Sequence, residues 1–168
     1  KALKNLGRYE EAIACYDKAL KLNPNYTYAW NGKGNALYDL GRYEEAIECY
    51  DEALKLDPNV ADVWYNKGKA LKNLGRYEEA IACYDKALKL DPNDAVVWYN
   101  KGNALNDLGR YEEAIACYDK VLKLDPNVAV VWNNKGAALK NLGRYEEAIE
   151  CYDKALKLDP NDAVVWYN

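Results

Sequence analysis

The sequence predicts an all-α chain, a solenoid of antiparallel helix pairs on a 34-residue repeat. Trp30, Trp64, Trp98, Trp132 and Trp166 are each 34 residues apart. Pro24, Pro58, Pro92, Pro126 and Pro160 keep the same spacing, as do Cys15, Cys49, Cys83, Cys117 and Cys151. Within each unit the apolar residues recur at helical spacing and are interrupted twice, by a glycine and by a proline. Such a period marks units that bury their apolar faces only by stacking on neighbours. The expected organisation is one solenoid over 1–168: a partial repeat 1–26, full repeats 27–60, 61–94, 95–128 and 129–162, and a partial first helix 163–168.

The unit from Thr27 to Val60 justifies each element in turn. Its first half places Trp30, Gly34, Leu37 and Leu40 on one helical face, and Gly41 follows as a C-terminal stop. Its second half places Ala46, Ile47, Tyr50, Ala53 and Leu54 on one face. Glu44 and Glu45 fall in the first turn of this second helix, where carboxylates oppose the helix dipole favourably. Asp51 and Lys55 are spaced for an i,i+4 pair, repeated at Asp85–Lys89, Asp119–Lys123 and Asp153–Lys157. Asp57-Pro58-Asn59 ends the helix, because proline cannot continue it. Asp94 and Asp162 suit N-caps of the following first helices. Gly34, Ala46, Ala53 and their equivalents let helix axes approach. Val121 departs from the alanine of the other copies, at an expected cost of about 1 kcal/mol or a small helix shift.

Composition excludes several functions. Net charge is −4 with acids and bases interspersed, so nucleic acid is not an expected partner. No apolar run approaches the roughly 20 residues of a membrane span, and no signal-peptide pattern opens the chain. The absence of histidine removes the commonest general base and metal ligand. Each cysteine stands alone in its repeat. Neighbouring copies, one helix spacing of about 8–10 Å apart, lie beyond the ~7 Å reach of a disulfide. The thiols therefore read as small buried hydrophobes, with no metal or cofactor, and point to a reducing, cytoplasmic setting. The Glu44–Glu45 and Glu78–Glu79 pairs diverge by about 100° and make no acid–base dyad. Asn25-Tyr26-Thr27 is a chance glycosylation match. No catalytic residue is assigned.

Trp30, Lys33-Gly34, Leu37, Ala46, Tyr50, Ala53 and Pro58 resemble the tetratricopeptide repeat pattern, and the match recurs in every copy. Lys33, Lys67, Lys101 and Lys135 depart from it where leucine is usual. Leu37 and its equivalents replace the first tyrosine. Each such lysine must run its stem along the apolar face and snorkel its amine outward. The resemblance implies a right-handed superhelical solenoid whose first helices line a concave groove for extended peptides.

Carried onto this chain, the groove-facing residues are Tyr28, Asn31, Asn35, Tyr38 and Asp39, then Asp62, Tyr65, Lys69, Lys72 and Asn73. The next copies give Val96, Tyr99, Asn103, Asn106 and Asp107, then Val130, Asn133, Lys140 and Asn141. These positions vary between copies while the packing positions stay fixed. Some relatives clamp a C-terminal carboxylate with Lys, Asn and Arg residues. Here Asn66, Asn100 and Asn134 fill the central asparagine position. The lysine position, however, holds Asn31, Tyr65, Tyr99 and Asn133, and the arginine is missing, so that clamp is not expected. Lys69 and Lys72 lean instead toward an acidic segment.

Residues 1–22 are identical to 69–90, and 69–100 match 137–168 at all but two positions, so the duplicating unit is 68 residues, natural or designed. Lys1 and Asn168 both fall inside a first helix. The chain therefore reads as a fragment whose open ends associate head to tail, with Ala163–Asn168 ordered by stacking. The leading expectation is a non-catalytic scaffold binding a protein or peptide in the groove. The rivals are a structural spacer or self-stacking superhelix, and the regulatory arm of a larger enzyme.

Overall fold

The glycine and proline stops resolve into nine helices among residues 2–160, which this computed structural model describes, with side chains from Gly7 onward. They are α1 (Ala2–Leu22), α2 (Thr27–Asp39), α3 (Tyr43–Leu56), α4 (Ala61–Asn73) and α5 (Tyr77–Leu90), then α6 (Ala95–Asp107), α7 (Tyr111–Leu124), α8 (Ala129–Asn141) and α9 (Tyr145–Leu158). The chain divides into two compact units, Lys1–Pro92 with α1–α5 and Asn93–Asn168 with α6–α9. In the first unit α2 packs on α3 and α4 on α5, with α1 against α2 and α3 against α4. In the second, α6 packs on α7, α8 on α9, and α7 on α8. Each adjacent pair is antiparallel.

Local chemistry sets the ends of these helices. Gly41, Gly75, Gly109 and Gly143 adopt φ of 73–76°, the left-handed conformation that stops a helix without a Cβ penalty. The Gly41 N–H donates to the Tyr38 carbonyl and the Arg42 N–H to the Leu37 carbonyl, both at 2.9 Å, the paired bonds of that stop. In the Asp-Pro-Asn breaks, the Asn59 and Asn127 N–H groups donate to Asp57 and Asp125 Oδ1 at 2.9 Å. The tryptophans close the same turns: Nε1 of Trp30, Trp64 and Trp132 donates to the carbonyls of Pro24, Pro58 and Pro126 at 2.8–2.9 Å. Asp94 caps α6 as expected, accepting from the Val96 and Val97 N–H groups at 2.8 and 3.0 Å. Val60 and Val128 hold the same position in α4 and α8 with no side-chain cap.

The core is a fixed set of contacts within each helix pair. A Cβ at Gly34, Gly68, Gly102 or Gly136 would lie 2.5–2.7 Å from the ring of Tyr50, Tyr84, Tyr118 or Tyr152 respectively. Ala46, Ala53, Ala80, Ala87 and Ala114 are buried beside these rings. Val121 is accommodated without breaking α7. It is 3% exposed, and its carbonyl accepts the capping bond from the Asp125 N–H at 2.8 Å.

The out-of-pattern lysines link neighbouring repeats within a unit. Nζ of Lys33, Lys67 and Lys135 reaches Asp17, Asp51 and Asp119 at 2.5–2.7 Å while lying 5.6–5.9 Å from the ring centre of its own tryptophan. This corrects the expected Asp51–Lys55 pair. Asp51 is taken by Lys67 of the next helix, and Lys55 turns to Glu52. The first-turn glutamates also have a second role. Arg42 grips Glu45 through two bonds of 2.6 Å, and Arg76–Glu79, Arg110–Glu113 and Arg144–Glu147 repeat that fork. These pairs are exposed to solvent and screened by it, so they contribute little to stability.

Two further expectations are overturned near the start of the chain. Gly7 does not stop a helix, and α1 runs unbroken from Ala2 to Leu22. The identical segment 69–90 breaks at Gly75, where Val63, Gly68, Ala70 and Leu71 of the 13-residue α4 are buried. Cys15 is consequently exposed, whereas Cys49, Cys83, Cys117 and Cys151 are buried. In the later pairs the cysteine packs against its own first helix, as Cys117 does at Gly102. Asp162, Trp166 and the segment Ala163–Asn168 with its stacking lie outside the described residues.

The two copies of one sequence should therefore respond oppositely to one substitution. Gly7→Ala removes an unfavourable helix residue and should stabilise by up to about 1 kcal/mol. Gly75→Ala forces a Cβ onto a left-handed residue and should cost about 1–2 kcal/mol. Urea unfolding of the two single variants checks the signs.

Candidate functional site

The residues that vary between repeats lie on the first helices, and in each unit they surround a cleft. In the first unit Asn35, Tyr38 and Asp39 of α2, Asn66 and Lys69 of α4, and Tyr50 of α3 line a recess of about 250 Å³. Tyr50 donates its hydroxyl to Asn35 Oδ1 at 2.8 Å. Asn73 Nδ2 donates to the Tyr38 hydroxyl at 2.9 Å, which clips α4 to α2. Asn66 Nδ2 approaches Asn31 Oδ1 at 3.4 Å. Lys69 Nζ sits 4.5 Å from the centre of the Tyr38 ring and 5.5 Å from that of Tyr65, a cation held between two aromatic faces. Burial is the largest influence on the Tyr38 hydroxyl and raises its pKa, and the Asn73 bond offsets part of that rise. Tyr28 is 66% exposed and stacks near Tyr26 with ring centres 5.9 Å apart. Tyr28, Asn31, Tyr65 and Lys72, assigned to the groove from sequence, are not among the residues that line this recess.

In the second unit a recess of different chemistry forms nearer the start of the first helices. Ala95, Val96 and Tyr99 of α6, Val121 of α7, and Val128, Val130 and Val131 line a recess of about 200 Å³ with no polar surface. Val96 and Val130 are 55% and 45% exposed. Beyond this recess Asn134 Nδ2 donates to the Tyr99 hydroxyl at 3.1 Å and to Asn103 Oδ1 at 3.2 Å, and the Tyr118 hydroxyl donates to Asn103 at 2.9 Å. Asn106 is half-buried, with its Oδ1 lacking a hydrogen-bond partner. Lys140 is exposed at the end of α8. Asn133, assigned to the groove from sequence, is only 7% exposed and belongs to the packed interior of its unit.

Another recess, of about 470 Å³, lies between α2 and α3, with Trp30, Lys33, Cys49 and Asp51 in its wall. Several of its ionic groups are engaged internally: Lys33 with Asp17, Asp51 with Lys67, and Lys55 with Glu52. Burial pushes the Cys49 and Cys83 thiols up to about 11, which leaves them protonated and weakly nucleophilic at neutral pH. Among the described residues no group of three or more His, Cys, Asp or Glu side chains could hold a metal ion. No described helix is long and apolar enough to cross a membrane.

Sequence reasoning missed the hydrogen bonds that tie the variable face to the core. The signal was a 15-residue offset: Asn35–Tyr50 and Asn103–Tyr118 bond, whereas the same offset gives Lys69–Tyr84 and Ala137–Tyr152. The Tyr84 and Tyr152 hydroxyls are buried with no partner.

Residues 1–40 and 34–75 match the family described as TPR repeat, and 61–94, 95–128 and 129–162 match Tetratricopeptide repeat. The chain belongs to the tetratricopeptide repeat family. No curated protein sequence matches it. Among solved structures it is similar to MamA, with 27% identity over 94% of this chain and 92% of that one and a TM-score of 0.89. It also resembles MamA residues 41 to end from Desulfovibrio magneticus RS-1, at 26% identity over 94% and 89% of the two chains and a TM-score of 0.88. YrrB, described as a TPR protein with an unusual peptide-binding site, is 28% identical over 99% of this chain and 86% of its own, with a TM-score of 0.87.

The hydroxyl pairing makes a clear energetic forecast. Tyr50→Phe removes a formed hydrogen bond and should cost about 0.5–1.5 kcal/mol. Tyr84→Phe removes a buried hydroxyl that lacks a partner and should be neutral or stabilising. Urea midpoints of the two variants, measured side by side, test the difference.

Proposed function

We propose that this chain is a non-catalytic scaffold that binds a peptide or protein segment on the first-helix face of each unit, the side that family likeness makes concave. One observation carries the reading. The packing positions repeat with few changes, whereas the first helices vary and help to form, at different positions along them, a polar, lysine-bearing recess in one unit and an all-apolar recess in the other. Tyrosine and asparagine at the rims offer flat amphipathic area and paired donor and acceptor groups, which suit an extended backbone. The peptide-binding description of YrrB supports the same class of ligand. The rival reading, a self-stacking spacer, rests on the near-identity of the repeats.

A displayed library of random peptides, panned against the intact chain, tests the proposal. Recovered peptides should lose about tenfold or more in affinity to a Val96→Asp, Val130→Asp variant, which charges the apolar recess at exposed positions and leaves the fold intact. Recovery of no binder, or of binders indifferent both to these substitutions and to Lys69→Glu in the polar recess of the first unit, would overturn it. Growth of particle size with concentration in light scattering would then favour the spacer.

A further inference from the structure

Trp132 carries two cations, whereas its counterpart Trp30 carries one. In the pair α8–α9, Nζ of Lys135 lies 5.6 Å from the centre of the Trp132 ring, and Nζ of Lys154 lies 4.4 Å from it. In the pair α2–α3, Lys33 holds the place of Lys135, 5.9 Å from Trp30. The place of Lys154 falls to Glu52. Lys18, Lys86, Lys120 and Lys154 fill that position in the other copies, so the acid is peculiar to α3. Glu52 pairs with Lys55 at 2.5 Å, and no described side chain covers Trp30 as Lys154 covers Trp132.

The recess of about 470 Å³ between α2 and α3 lies at this point. Trp30, Leu37 and Cys49 supply apolar wall, and Glu48 and Glu52 line it as well. The ions around it leave one carboxylate over. Lys33 pairs with Asp17, Asp51 with Lys67, Glu45 with Arg42 and Glu52 with Lys55. Glu48 is exposed and forms no hydrogen bond or ion pair with a described residue. Helix α9 carries the same acid, Glu150, four residues before Lys154, while α5 and α7 have Ala82 and Ala116 there. Helix α9 thus supplies both carboxylate and cation. Helix α3 supplies the carboxylate and adds a second one.

An ammonium group answers both features, because the indole face and the carboxylates attract it together. The alkyl stem of a lysine suits the apolar wall behind. Lys33 does not forbid a second cation. Lys135 and Lys154 share Trp132 while Asp119 holds Lys135, as Asp17 holds Lys33. An anionic ligand would instead face Glu48 and Glu52.

We propose that this recess receives a lysine side chain of a partner protein, whose ammonium takes over Trp30 the place that Lys154 takes over Trp132. Glu48 and Glu52 are its counter-charges. The site shares no residue with the polar recess of the same unit. Trp30, Lys33 and Leu37 fall on the side of α2 opposite Asn35, Tyr38 and Asp39. It is a second interaction surface, independent of the peptide-binding reading above.

The intact chain labelled with fluorotryptophan gives one fluorine resonance per indole, and Trp30→Phe assigns that of Trp30. The probe is Nα-acetyl-lysine methylamide, and the norleucine analogue, which keeps the stem and lacks the ammonium, is the control. The lysine probe should shift the Trp30 resonance saturably, bind about fivefold tighter than the control and leave Trp64 in place. Glu52→Lys, which gives α3 the residue of the other copies, should move the Trp30 resonance without any probe and abolish the response to it. An unmoved Trp64 resonance shows that this variant is folded. Glu48→Ala, the residue of α5 and α7, should weaken the probe several-fold. Glu78→Lys, the same change of charge at an exposed position of α5 outside the recess, should leave the response intact. No shift at Trp30, an equal shift at Trp64, an equal response to the norleucine control, or a response that survives Glu52→Lys overturns the inference.

Discussion

Every helix pair depends on one close approach, in which a tyrosine ring of the second helix occupies the space where a first-helix glycine has no side chain. A Cβ at Gly34, Gly68, Gly102 or Gly136 would stand 2.5–2.7 Å from ring atoms, inside any tolerable contact. The approach sets the distance between the two helices, and the alanines around it keep that distance short. With the axes fixed, the tryptophan indole reaches the proline carbonyl of the preceding turn and the first-helix lysine reaches the aspartate of the preceding repeat. The core tyrosine also sends its hydroxyl through to the opposite, variable face. Core packing and the variable face therefore meet at one side chain, and the residue opposite that hydroxyl decides whether it is hydrogen-bonded.

This coupling gives the variable face its character. Where asparagine stands opposite the hydroxyl, the side chain is tied to the core and the tyrosine hydroxyl is satisfied. Where Lys69 stands there, the core keeps an unmatched hydroxyl and the surface gains a positive charge over two tyrosine rings. The second unit changes character differently, by placing valine at exposed first-helix positions above a buried Val121. The extra bulk of Val121, expected from sequence to strain the helix, becomes part of the wall of the apolar recess.

Most of the fold was legible because its signals are local and repeated. Gly41 and Asp57-Pro58-Asn59 announce their turns by backbone chemistry, Asp94 announces its cap, and the 3.6-residue spacing announces both helices. What sequence did not reveal depends on neighbours. Residues 1–22 and 69–90 are the same string, yet one is a single helix and the other bends at Gly75. The turn at Gly75 follows the buried face of α4, whose first eight residues, 61–68, lie outside the shared string. Asp51 looked paired within its own helix, but the partner that prevails, Lys67, arrives from the next repeat. The candidate site was legible as a set of varying positions and not as contacts. Asn133 turned inward, and the Asn35–Tyr50 bond crosses between helices at an offset that periodicity alone does not interpret.

The most direct test of this account is the unfolding free energy of Gly68→Ala. Helix propensity alone assigns that change a gain of about 1 kcal/mol, because alanine is the better helix former. The close approach to Tyr84 assigns it a loss of about 1–3 kcal/mol, because the added methyl overpacks a filled contact. A loss of that size is the result predicted here. A gain would contradict the claim that the glycine–tyrosine contact holds the helix pairs together.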